Sequence, residues 1–312
     1  MKKLAVVTGA TGIIGRKIVE ILLADGLKVR VLTRNPNYDA NCEVEIIKGD
    51  LMDRLLLENL MLGADWLFHC AAELNNESKM DAVNVTGTRN LINASKKAGI
   101  QVFCHMSSVG VIGIASGEIA DEYTECHPQN TYERTKYMAE QLIAQNPCAK
   151  HTVILRPTNV VSESKLGPLD YVVKPSPLNY FKIFLKGQEK AHLIHANDVA
   201  AATVFCAKHA EKTVGLLNFP TNSTFCTYIL SLDHEPKNIV SAVCRDYLKL
   251  KRKRSFLLCV SMPWRTPYYL RKLMGRPCNR SDLVYSSAKL LDTGFCFPLG
   301  LDGAIRAISE DT

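Results

Sequence analysis

Tyr132 and Lys136 stand four residues apart in Tyr132–Gln145, a stretch that reads as a helix, so the two side chains share one face. A phenol titrates near pH 10, and a neighbouring ammonium is what lets it work as a base closer to neutrality. The spacing alone is common, since Tyr247/Lys251 and Tyr268/Lys272 repeat it. Only Tyr132 lies in the helix that follows a strand ending in two hydroxyls, Ser107 and Ser108. Those serines also suit a simple turn, and the two later pairs suit the surface of a basic helix.

A second constellation is Thr8-Gly9-Ala10-Thr11-Gly12-Ile13-Ile14-Gly15, set between a strand-like run (Leu4–Thr8) and a helical stripe (Gly12–Ala24, with Ile14, Ile18, Ile21 and Leu22). Gly9 permits the tight turn, Gly12 lets a pyrophosphate approach the backbone at a helix N-terminus, and Gly15 lets the helix pack close to the sheet. The next strand ends Val31-Leu32-Thr33-Arg34. An Arg stands where an acidic residue would select a free ribose 2′-hydroxyl, and an Arg can take a 2′-phosphate.

The elements that must position these residues alternate. Strands are expected at Lys28–Thr33, Val44–Lys48, Trp66–Cys70, Val102–Ser107 and Thr152–Leu155. Helices are expected at Arg54–Met61, Ala82–Lys97 and Tyr132–Gln145, the last ended by Pro147. Such alternation implies a parallel sheet covered by helices on both faces. Beyond about residue 160 the rhythm breaks at Pro157, Pro168, Pro175 and Pro177, with helices expected at Val199–Ala210 and Ser286–Asp292. The expected fold is α/β: a Rossmann-type doubly wound parallel sheet over 1–160, with parts of 190–220 returning to it, and a smaller C-terminal α/β substrate domain over 161–312.

Composition excludes other classes. Of 312 residues, 47% are apolar and 22% charged, and no apolar run approaches the roughly 18 residues that span a bilayer. Met1-Lys2-Lys3 precedes no cleavage site, so the start reads as a mature cytosolic N-terminus. The 11 Cys are scattered without a C-x-x-C pair, which disfavours metal and redox sites and points to reduced thiols. The net charge of +7 is localised: residues 249–312 carry 12 Lys and Arg against 5 Asp and Glu, whereas 1–248 balance at 26 each. A basic tail suggests an anionic partner.

Taken in order, Thr8–Gly15, Gly49-Asp50-Leu51, His69-Cys70-Ala71-Ala72, Asn84-Val85-Thr86-Gly87-Thr88, Ser107-Ser108-Val109-Gly110-Val111, Tyr132-Glu133-Arg134-Thr135-Lys136, Arg156-Pro157-Thr158-Asn159 and His195–Ala200 resemble the extended branch of the short-chain dehydrogenase/reductase superfamily. That branch holds nucleotide-sugar epimerases, dehydratases and ketosugar reductases. The resemblance covers roughly the first 210 residues well. It implies that Tyr132 is the acid/base, that Lys136 lowers its pKa and holds the cofactor ribose, and that Ser108 hydrogen-bonds the reacting oxygen. It places Gly9, Thr11, Gly12, Ile13 and Gly15 on the cofactor, with Arg34 favouring NADP over NAD. Asp50 and Leu51 would flank the adenine, Ala71 and Ala72 would line the cofactor, and Asn84 would position backbone on the nicotinamide side. Pro157 and Thr158 would sit beside the nicotinamide, and Asn159 with Ser108 would meet substrate. His195 and Asp198 match a segment of structural or catalytic character. His69 reads as a packing residue. Family dehydratases carry an Asp-Glu pair where this chain has Val109 and Gly110, so a 4,6-dehydratase is not expected.

The run Lys249–Arg254, followed by Phe256–Val260, Trp264, Tyr268 and Tyr269, admits three readings: a solvated face, a phosphate wall that includes Arg265 and Arg271, or a patch over 249–273 on an anionic membrane surface. Nucleic acid is not an expected partner. The expected activity is NAD(P)-dependent epimerisation or ketone reduction on a nucleotide-diphosphate or lipid-linked sugar. The alternatives are reduction of a sterol-like or flavonoid-like ketone, or an idle NADP-binding regulator. The expected assembly is a homodimer through Ala82–Lys97 and Tyr132–Gln145, in the cytoplasm or peripheral at the inner membrane surface.

Overall fold

Ala5, Val6, Val7 and Thr8 are all fully buried, as a strand must be when helices cover both faces of its sheet. They belong to β1 (Leu4–Thr8), an interior strand of a seven-stranded sheet in a computed structural model that describes residues 2–38, 43–213, 224–253, 261–262, 268–269, 272–274 and 278–311. The chain continues through α1 (Ile13–Ala24), β2 (Lys28–Thr33), β3 (Val44–Lys48), α2 (Arg54–Met61), β4 (Trp66–His69) and α3 (Glu77–Met80). A π-helical stretch, Asp81–Thr86, joins α3 to α4 (Gly87–Ala98), and β5 (Val102–Met106) follows. Next come β6 (Ile119–Ala120), α5 (Thr131–Gln145), β7 (His151–Pro157), β8 (Asn159–Val161), α6 (Asp170–Val173), α7 (Pro177–Lys186), β9 (Leu193–His195), α8 (Ala196–Thr213), β10 (Thr224–Leu230) and α9 (Val240–Leu250).

The sheet order is β10-β7-β5-β4-β1-β2-β3, and β1, β2, β3, β4, β5 and β7 pair in parallel. This is the doubly wound α/β arrangement anticipated from the alternation. A core of Val6, Leu57, Leu60, Leu67, Leu91, Phe103 and Ile143 joins the sheet to α2, α4 and α5. A separate apolar stripe of α1, Ile18, Val19 and Leu22, is buried against β1 and β2. Helix starts follow the capping chemistry. The Asp53 carboxylate accepts the Leu56 N–H, and Asn130 accepts the Glu133 N–H at 2.9 Å while Glu133 reaches back to the Gln129 N–H at 2.7 Å.

The helix ahead of β5 departs most from expectation. The helix anticipated at Ala82–Lys97 begins five residues earlier, because Asn76 caps it by accepting the Ser78 N–H, and it contains the wide π turn. Stretches of this kind occur often at functional sites.

Two compact units result. The first comprises Met1–Val111, Pro128–Arg156 and Ala200–Tyr228; the second comprises Ile112–His127, Pro157–Val199 and Ile229–Thr312. Within the second, β8 pairs with β9, and β6 pairs with β11 (Val284–Tyr285). Among the described residues no helix is long and apolar enough to cross a membrane.

In the first unit α5 is held to β7 by a buried ion pair. Arg156 donates to both oxygens of Glu140, at 3.0 and 2.6 Å, and the two side chains are 8% and 6% exposed. Removing one partner strands the other charge away from water. Arg156→Leu is expected to cost about 3–5 kcal/mol in urea unfolding, and the double change Arg156→Leu with Glu140→Leu to recover most of it. A single-variant loss below about 1 kcal/mol, the range of a surface pair, would show that the pair does not hold α5.

Candidate active site

Parallel strands end on the same edge of a sheet, and the segments that leave β1, β2, β3, β4 and β5 bring most of the anticipated residues to one edge of the first unit. After β1, Gly9 adopts φ +73°, and a Cβ there would lie 2.5 Å from the Ala71 nitrogen. A Cβ on Gly15 would lie 2.2 Å from the Gly9 carbonyl oxygen. Gly12 differs, because its Cβ would meet only that same oxygen, at 3.2 Å. Gly12 therefore leaves backbone open where α1 starts. No side chain caps α1 and no acidic residue lies in its first turn, so its first N–H groups point out as donors beside the exposed Thr11 and half-buried Ile13. This cradle, closed to any Cβ at two positions and open at the third, fits a dinucleotide pyrophosphate.

After β2, Arg34 is exposed and sits 3.8 Å from the Asp50 carboxylate that follows β3. Arg16 on α1 lies beside Tyr38, whose phenol burial pushes up while the guanidinium opposes the rise. Arg16 is a cation the sequence reading missed; its place directly after Gly15 was the available signal. Leu51 is buried, and its carbonyl accepts from Asn90 at 2.9 Å. Ala71 and Ala72 are half-buried after β4.

Asn84 is 2% exposed. Its Oδ1 accepts the Glu73 N–H at 2.8 Å, while Nδ2 donates to the Glu73 carbonyl and to Thr135 Oγ1, each at 3.1 Å. The amide thus holds the loop after β4 against α5.

At the end of β5, the Ser108 hydroxyl accepts the Gly110 N–H at 3.0 Å and lies close enough to the Tyr132 phenol to influence its pKa. Burial holds the Tyr132 phenol above its ordinary value, and Ser108 works against that rise. Lys136, 3% exposed, donates to the Met106 carbonyl at 2.6 Å. Burial brings its ammonium down to about 8, with Cys70 and Glu140 opposing. The ammonium is engaged by the Met106 carbonyl of β5, and burial is the largest influence on the phenol.

The remaining candidates belong to β7 and to the second unit. Pro157 ends β7. Thr158 and Asn159 belong to the second unit, where the Thr158 hydroxyl donates to the Leu230 carbonyl at 3.3 Å and Asn159 Nδ2 donates to the Ala191 carbonyl at 2.9 Å. In that unit Asp198 accepts the Leu299 N–H at 2.8 Å, and burial raises its carboxyl to about 6. His195 is fully buried and accepts the Asn197 N–H at 3.1 Å. Arg265 and Arg271, with most of 254–271, lie outside the described residues.

A sequence profile of the NAD dependent epimerase/dehydratase family matches residues 5–218. The chain is 34% identical over 176 residues to sterol demethylase protein B of Methylococcus capsulatus, covering 53% of this chain and 52% of that one. It is 34% identical over 171 residues to a 3 beta-hydroxysteroid dehydrogenase/Delta 5-->4-isomerase of Mycobacterium tuberculosis, covering 49% and 46%. The matched stretch spans about half the length of those relatives. A solved UDP-glucose 4-epimerase from Brucella ovis in complex with NAD aligns at TM-score 0.73 and 19% identity over 99% of this chain and 98% of that one, a likeness of fold.

The glycine geometry separates two variants. Gly15→Ala is expected to lower the melting temperature sharply, because its Cβ meets backbone. Gly12→Ala is expected to melt within a few degrees of the parent while weakening NADPH binding at least tenfold by fluorescence titration. Equal binding by Gly12→Ala would remove the pyrophosphate from this turn.

Proposed function

Because this chain belongs to the NAD dependent epimerase/dehydratase family, we propose that it interconverts a secondary alcohol and its ketone, with Tyr132 moving the proton. The observation that carries this reading is the grouping at the end of β5 and the start of α5: the Ser108 hydroxyl, close enough to the Tyr132 phenol to ease its burial-raised pKa, and a buried Lys136 one helical turn on. A bound nicotinamide dinucleotide supplies or takes up the hydride. In reduction the Tyr132 hydroxyl donates its proton to the substrate carbonyl oxygen, and its burial-raised pKa keeps it protonated at neutral pH. Ser108 accepts from Gly110, so its single O–H is left to donate to the phenol or to a substrate oxygen beside it. Lys136, anchored on the Met106 carbonyl, brings a positive charge that favours the phenolate when the reaction runs as oxidation.

The dinucleotide we propose is NADP. Arg34 at the end of β2 and Arg16 at the start of α1 are exposed cations on either side of the glycine turn, suited to a 2′-phosphate. Dehydration at C5 of a sugar is not proposed. Val109 and Gly110 have no side chain that can transfer a proton, and the carboxylate beside Gly110, Glu133, is engaged with the Gln129 N–H in the α5 cap.

For substrate we propose an apolar ketone or its alcohol. The support is the pair of relatives at 34% identity whose names refer to sterol and hydroxysteroid. A nucleotide-linked sugar is the second reading, favoured by the basic character of 249–312. Purified protein incubated with NADPH is expected to consume it with a 3-ketosteroid and not with a UDP-4-ketosugar. Tyr132→Phe is expected to abolish turnover while leaving NADPH binding within threefold. Turnover of the ketosugar alone would assign the second reading, and undiminished turnover by Tyr132→Phe would remove Tyr132 from the chemistry. Arg34→Ala is expected to raise the KM for NADPH at least tenfold more than that for NADH; equal effects would end the NADP assignment.

A further inference from the structure

His69, the last residue of β4, is 1% exposed and opposite Thr8 in the parallel register. Both ring nitrogens are engaged: Nδ1 lies 2.8 Å from Thr8 Oγ1 and Nε2 lies 3.0 Å from Thr88 Oγ1. Thr88 donates its own hydroxyl proton to the Asn84 carbonyl at 2.6 Å. Its oxygen can then only accept from His69, so Nε2 carries the ring proton. Nδ1 is left as an acceptor and must receive the Thr8 hydroxyl. Thr8 Oγ1 in turn accepts the Ala71 N–H at 3.4 Å. Beyond Asn84 the direction continues: its Nδ2 donates to Thr135 Oγ1, and Thr135 donates to the Tyr132 carbonyl at 3.0 Å.

Each hydroxyl in this series accepts one bond and donates one, and only one histidine tautomer completes it. The series starts beside Gly9, crosses the sheet edge through His69, enters the π stretch at Asn84 and ends on the first turn of α5 at Tyr132. His105, paired with His69 in register and 5.2 Å from its ring, adds packing. Its nitrogens have no partner among the described residues, so the series does not branch there. Burial, with the nearby Lys136 charge acting in the same direction, lowers the His69 pKa to about 3, in keeping with a ring that must stay neutral.

We propose that His69, as its Nε2–H tautomer, is a positioning residue that ties the dinucleotide-binding glycine turn to the helix that carries Tyr132. This rests on the reading that the turn binds a dinucleotide and that Tyr132 transfers the proton. Neither His69 nor Thr88 then needs to touch ligand for its loss to be felt at both places, since the series holds the Thr8 side chain and the Ala71 N–H beside Gly9 at one end and the Tyr132 carbonyl at the other.

Thr88 gives the cleaner variant, because Val replaces it with nearly the same shape and without the hydroxyl. Thr88→Val is expected to remain folded by its melting curve, to bind NADPH about tenfold more weakly, and to turn over the ketone about tenfold more slowly, as for loss of one buried hydrogen bond. Thr88→Ser, which keeps the hydroxyl, is expected to restore both. Nuclear magnetic resonance of 15N-histidine protein should show His69 with one protonated nitrogen, Nε2, unchanged between about pH 5 and pH 8, where an ordinary imidazole titrates. A Thr88→Val protein that melts lower but keeps parental NADPH affinity and kcat would overturn the proposal, leaving His69 a stability element. So would an Nδ1-protonated or titrating His69. A parent chain that binds neither NADPH nor NADH would overturn the dinucleotide reading and this proposal with it, an outcome distinct from parent binding that Thr88→Val leaves intact.

Discussion

The backbone of Gly9 passes so close to that of Ala71 that a side chain at Gly9 would overlap the peptide. That approach sets the edge of the sheet on which everything else is arranged. It brings the segments leaving β1 and β4 side by side, and with Gly15 lying against the Gly9 carbonyl it fixes the line along which α1 leaves the turn. The uncapped first turn of α1 then faces outward at the strand ends, where the dipole and free N–H groups favour an anion. Steric exclusion, more than any attractive contact, is the origin of this geometry, and for that reason glycine rather than another small residue is required at positions 9 and 15.

A second layer of constraint is electrostatic. Lys136, Glu140 and Arg156 are all buried on or against α5, and each has a partner: the Met106 carbonyl for the lysine, a two-bond ion pair for the other two. Charges away from water persist only when satisfied in this way. The result is a helix whose position is set by directional bonds as well as by apolar packing, and Tyr132 sits on its first turn. Burial raises the phenol and lowers the ammonium, so the free protein presents a protonated tyrosine beside a lysine whose charge is already costly. A ligand that brings negative charge or hydrogen-bond acceptors to this region would relieve that cost.

The sequence by itself determined the alternation of elements, since hydrophobic period and capping residues are local. Lys28–Thr33, Val44–Lys48 and Arg54–Met61 were legible to the residue. It also determined the glycine turn, because Gly9 and Gly15 answer to steric needs within a few residues, and the sharing of one face by Tyr132 and Lys136. What tertiary structure decided was partnership. Ser108 comes close enough to Tyr132 to influence its phenol, and Lys136 donates to the Met106 carbonyl of β5. His69, which reads as mere packing in sequence, joins Thr8, 61 residues upstream, to Thr88, 19 residues downstream. Asn84 is committed to Glu73 and Thr135, and the π turn that carries it left no mark in the periodicity. Such bonds link residues far apart in the chain, and their direction depends on which proton each neighbour has already given away. No local spacing encodes that order; it exists only once the strands are in register.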